Sequence, residues 1–200
     1  MGIRDIRPFS SILGGSLSIR TAPMNASETF LPGELIFINT DGEAQAAPID
    51  GTQILLAETG IGTAIEFGVA VNGPGAVSSA ARPFFQQIHP DTGNFYATGD
   101  RIWYYPAGEG NLFVAPFLVA GGAGGRSVAA AGANNGTILE ITYEAASTPD
   151  AGFGVELTAG VAGTDLLARV HSVLDSNFRP ISATATNGAF AVFEIVNNVS

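Results

Sequence analysis

The chain has no cysteine and no lysine, and among its 200 residues only 13% are charged. Without cysteine there is no disulfide, no thiolate metal site and no thiol nucleophile. Histidine is nearly missing too, with His89 and His171 alone. Two distant histidines cannot build a tetrahedral zinc site, so metal chemistry of that kind is excluded. No apolar run approaches the roughly 18 residues that a membrane-crossing helix needs, and the first fifteen residues contain no sustained apolar stretch of the secretory type. No membrane association is therefore expected.

What is present is glycine, at 26 residues, abundant alanine, and a net charge of −10. Sparse charge with so much Gly and Ala fits a surface largely covered by copies of itself or by a partner. A GC-rich coding bias, which also favours Gly, Ala and Arg over Lys, accounts for the same composition. The negative balance argues against a large nucleic-acid footprint. The charge is uneven. Residues 1–20 hold Arg4, Arg7 and Arg20 against Asp5 alone, while the remainder is strongly acidic.

Residues 1–30 show no sustained period and contain Gly14-Gly15. They read as an extended N-terminal arm that, at about 3.3–3.6 Å per residue, reaches about 100 Å. The body, 31–200, reads as strands separated by turns. Glu34–Asn39 is β-branched and aromatic, and Asp41-Gly42 supplies a hairpin turn. Further strands are expected at 52–57, 63–71, 101–105, 111–120, 137–143, 154–158, 166–174 and 189–196. Pro116 implies an edge or a bulge in its strand. The segment 162–175 also fits a 3.6-residue period, but its valines favour a strand. Residues 76–94 are irregular, and the low-complexity stretch 120–136 is too poor in large side chains to pack alone. The sum is an all-β fold of one body, a small β-barrel or a jelly-roll-like sandwich.

No constellation for catalysis stands out. Asp91-Thr92-Gly93 matches the aspartic-protease tripeptide, yet no second copy is present and no apolar strand flanks it. Neither histidine accompanies a G-x-S-x-G elbow. Asp41, Glu43 and Asp50 lack EF-hand spacing, and turn capping explains them better than calcium. The glycine-rich run at 121–125 lacks the G-K-[ST] ending of a phosphate loop. Trp103, Tyr104 and Tyr105, with Arg101, match a base-stacking platform, but in an acidic protein such an aromatic strand is more often core or subunit interface, with a sugar platform as a further alternative. By elimination the hairpins serve architecture, so no enzyme activity, cofactor or metal is expected.

The order Gly33–Glu43, Pro48–Gly51 and Ile65–Val71, continued by Gly99–Phe113, Ala168–Leu174 and Phe190–Val196, resembles bacteriophage capsid decoration (cement) proteins. The likeness is one of texture and element order over most of residues 31–196. It implies a β-barrel or jelly-roll-like body, often trimeric, that binds the major capsid protein on the outer capsid surface of a virion, without catalysis or cofactor. An acidic body suits the outer face, away from the packaged genome. Other virion parts (tail, fibre base, shell) are the alternative, with a carbohydrate-binding module behind them. The candidate partner-binding residues are Arg4, Arg7, Phe9 and Arg20 in the leading segment and Trp103 and Tyr105 in the aromatic strand.

Overall fold

The computed structural model describes residues 6–12, 14–26, 28, 30, 32–47, 66–73, 96–108, 110–118, 132–144, 152–157, 166–181 and 188–196. The strands in chain order are β1 (Arg7–Ser11), β2 (Arg20–Pro23), β3 (Leu35–Ile38), β4 (Ala44–Ala46), β5 (Glu66–Ala70), β6 (Arg101–Pro106), β7 (Asn111–Leu118), β8 (Ile138–Glu144), β9 (Gly152–Glu156), β10 (Leu167–Leu174) and β11 (Phe190–Val196). A single turn of 3-10 helix, Gly132–Asn134, is the one helical element among the described residues.

The strands form two sheets. In the larger one the order β7-β11-β10-β8-β9 returns to β7 through a parallel pairing of Phe117 and Leu118 with Val155 and Glu156, which closes a five-stranded barrel. Closure removes the open edges that a flat antiparallel sheet would leave. β1 adds to the other half of the same side of β7, opposite Asn111–Val114. Pro116 sits between these two partners of β7. Phe117 donates its N–H to Ala189 on the β11 side, so the Pro116 nitrogen faces the gap where neither β1 nor β9 pairs. The expectation of an edge strand is corrected: β7 is interior, and the missing donor falls where no acceptor is needed.

The second sheet runs β2-β6-β5-β3-β4 and curls until Met24, just past β2, bridges Ala44 of β4. β3 shows why the curl holds. All four of its residues are buried. Leu35 and Phe37 face a core shared with the barrel interior, including Phe113, Phe117, Phe153 and Phe193. Ile36 and Ile38 face the inside of the curl with Phe30, Ile102 and Tyr104. A strand covered on both faces must be apolar throughout, as Leu-Ile-Phe-Ile is. Each fully buried phenylalanine contributes about 1.5–3 kcal/mol by removal from water.

The leading residues are not an arm where they are described. β1 pairs with β7, β2 pairs with β6, and Ile6, Ala22, Met24 and Phe30 are core residues. Ladder hydrogen bonds and burial stabilise this path in a segment whose own residues lack a strand period. The expected helix alternative at 162–175 is also settled: Leu167–Leu174 is β10, with a bulge between Val170 and Ser172 that turns His171 outward. Expected features at 52–57, 76–94, Asp50-Gly51, His89 and Asp91-Thr92-Gly93 lie outside the described residues.

Candidate functional site

β6 carries the site because it alternates. Ile102, Tyr104 and Pro106 are buried, whereas Arg101 and Trp103 are exposed and Tyr105 is half-buried. The three-residue aromatic platform is therefore corrected: Tyr104 points into the curl, and Trp103 and Tyr105 share the opposite face, where Trp103 is exposed and the half-buried Tyr105 packs against the barrel core. Period-two alternation forces this split.

Trp103 is held from both sides. Opposite it on β2 is Thr21. On the β5 side its N–H donates to Asn72 Oδ1 at 2.7 Å, and its carbonyl accepts from the Val71 N–H at 2.8 Å. Asn72 Nδ2 in turn donates to the Tyr96 hydroxyl at 2.6 Å. The indole thus stands on a fixed backbone with 53% of its surface in water, the most exposed large apolar side chain described. Beside it, Arg101 Nη2 and Nε donate to Thr21 Oγ1 at 3.0 and 3.3 Å.

Two residues along β6, Tyr105 borders a cleft of about 280 Å³ between the sheets. Ala70, Val71 and Tyr105 line it from the curled sheet, and Ile6, Arg7 and Pro8 from the start of β1. Arg7 and Tyr105, ninety-eight positions apart in sequence, line the same cleft. The described residues supply no carboxylate to Arg7 or Arg101: the described ion pairs of arginine are Arg20 with Glu66 and Arg169 with Glu194.

The other expected residues separate. Phe9 lies at the β1 bulge between Pro8 and Ser10 and is 48% exposed. Arg20 is drawn into an intramolecular pair, its Nη1 2.8 Å from Glu66 Oε1, while the Tyr104 hydroxyl donates to Glu66 Oε2 at 2.7 Å. Burial, then the bond to Glu66, pushes the Tyr104 hydroxyl well above the ordinary tyrosine range. Arg20 is consequently a structural cation here. Arg4 lies outside the described residues. Ile12 and Ile19, exposed apolar residues in the same leading segment, escaped the sequence reading, because single isoleucines in an aperiodic stretch carry no signal.

Among the described residues no three His, Asp or Glu side chains cluster as a metal site would require. His171 lies on the barrel exterior, with Nε2 3.5 Å from Glu194 Oε1, and no serine nucleophile is bonded to it among the described contacts. No protein-family model matches the chain, and neither a characterised protein nor a solved structure similar to it was found.

Proposed function

We propose that this chain is a structural virion subunit that binds the outer face of a phage capsid, contacting the major capsid protein and other copies of itself. The observation that carries the reading is the exposure of three large apolar side chains, Phe9, Ile12 and Ile19, by 48, 45 and 48% in a leading segment that is itself tied into the body. Holding large apolar side chains in water on an ordered segment costs free energy that a contact would recover. β1 pairs with β7 along one side, and among the described residues no strand pairs with its other side, which suits strand addition by a neighbouring subunit. Repetition of a weak contact over a shell raises the effective concentration of each copy. The acidic balance and the resemblance to cement proteins support placement on the outside.

Purified particles of the phage that encodes the chain test this. The account expects the chain at fixed stoichiometry to the shell protein, and lower heat resistance in particles that lack it. Particles devoid of the chain, or carrying it only at the tail, contradict the capsid placement.

A further inference from the structure

We propose that the face of β6 turned away from the curl, where Arg101 and Trp103 are exposed and the half-buried Tyr105 borders the cleft lined by Arg7, binds an acidic saccharide. This goes beyond the capsid reading and stands on different residues from the exposed apolar side chains of the leading segment.

Four observations converge. Trp103 and Tyr105 lie two residues apart on one strand, so their side chains share a face about 7 Å apart along the strand. The strand is paired on both sides at Trp103, by Thr21 and by Val71 and Asn72. A peptide cannot add there as a further strand, which leaves the side-chain face as the binding element. An indole fixed by its backbone presents an apolar plane at little entropic cost. The C–H face of a pyranose ring is the apolar surface that stacks on such a plane, while its hydroxyls turn to polar neighbours such as Thr21.

Charge selects the sugar class. Arg7 and Arg101 pair with no described carboxylate, although the chain as a whole carries −10. A guanidinium to which the described residues bring no carboxylate matches a carboxylate brought by the ligand, which it can bind through two parallel hydrogen bonds. At physiological salt the repulsion from distant acids is screened beyond about 8 Å, so these local cations dominate. Uronic acids, which carry one carboxylate on each ring, fit both demands. A single-stranded nucleic acid also stacks on aromatics, but its dense phosphate charge is disfavoured by a chain of net charge −10.

Trp103 is the only tryptophan, so its emission reports on this face alone. The full chain is titrated with a galacturonate oligomer, a neutral maltose oligomer and poly-L-glutamate, without particles present. The account expects a saturable change in emission with the galacturonate oligomer, weakened by added NaCl, and weaker binding of the neutral oligomer by about tenfold or more. Arg101→Gln, an exposed substitution that leaves the sheet intact, lowers affinity for the galacturonate oligomer by a similar factor. Trp103→Ala abolishes binding by calorimetry. No saturable response to the galacturonate oligomer overturns the proposal. Equal binding of the neutral oligomer overturns the acidic class, and equal binding of poly-L-glutamate shows an acidic-peptide site instead. Because no capsid enters the titration, its failure leaves the particle result independent.

Discussion

Asn111 and Ser18, 93 positions apart, exchange two hydrogen bonds: the Ser18 N–H donates to Asn111 Oδ1 at 3.0 Å, and Asn111 Nδ2 donates to the Ser18 carbonyl at 3.2 Å. The same amide donates to the Pro106 carbonyl at 3.0 Å, and Asn111 is 1% exposed. One side chain therefore clamps the leading segment to the β6–β7 connection; β6 and β7, expected as a hairpin, lie in different sheets and do not pair. Replacing Asn111 with Ala strands a buried carbonyl and removes three bonds, and stability falls by about 1–3 kcal/mol. Urea unfolding reads this as a lower midpoint at unchanged slope. Removal of residues 1–23 takes β1, β2 and the core side chains Ile6 and Ala22, so circular dichroism shows loss of the folded body. A removable arm would leave the spectrum intact.

Closure of the barrel depends on Gly154. A Cβ there would stand 2.5 Å from Leu118 Cγ and 2.6 Å from the Pro116 carbonyl oxygen, against backbone that cannot move without opening the β7–β9 pairing. Gly154→Ala costs about 1–3 kcal/mol by overpacking. Gly15→Ala, which meets no atom within 4 Å, is the control and leaves the thermal midpoint nearly unchanged.

Tyr104 makes the fold sensitive to alkali. Its folded hydroxyl titrates above its ordinary value of 10.0, first through burial and then through Glu66. A raised pKa contributes stability that is fully present below about pH 10 and is lost as pH rises above it. Unfolding midpoints of the native chain should fall above pH 10, whereas Tyr104→Phe, less stable at neutral pH by about 1 kcal/mol, should lose less over that interval. Parallel curves for the two chains would refute the assignment.

Phe178 is the one non-glycine residue described with positive φ, at 60°. It closes the turn after β10, where Asp175 Oδ1 accepts from the Asn177 and Arg179 N–H groups at 2.8 and 2.9 Å. Its ring stacks on Phe190 at 5.1 Å and 16°. The left-handed backbone costs about 1–2 kcal/mol for an L-residue, and the stacked pair returns about 0.5–1.5 kcal/mol. Phe178→Ala loses the ring and keeps the strain, so it is less stable than Phe178→Gly by about 1 kcal/mol in paired thermal melts.

The strands readable in advance were those whose residues carry the pattern themselves. β3 is continuously apolar, β6 alternates, and β10 and β11 are valine- and phenylalanine-rich. β1, β2 and β4 read Arg-Pro-Phe-Ser-Ser, Arg-Thr-Ala-Pro and Ala-Gln-Ala, and nothing in them predicts a strand. Their conformation comes from the ladders that β7, β6 and β3 offer, a tertiary effect invisible in a local window. The site divides in the same way. Trp103 and Tyr105 were legible as an aromatic strand, but the loss of Tyr104 to the interior follows only from assigning the inward face. The placement of Arg7 and Tyr105 on one cleft and the capture of Arg20 by Glu66 are long-range outcomes that no spacing encodes.

The capsid proposal is tested most directly by co-sedimentation of the chain with purified phage capsids from which it has been stripped. The native chain should pellet saturably with the particles. The variant with Phe9→Asp and Ile12→Asp, folded by circular dichroism, should remain in the supernatant or bind at least about tenfold more weakly, since each substitution removes about 1.5–3 kcal/mol of apolar contact. Saturable binding of the variant at native affinity, or no binding of the native chain, would contradict the account.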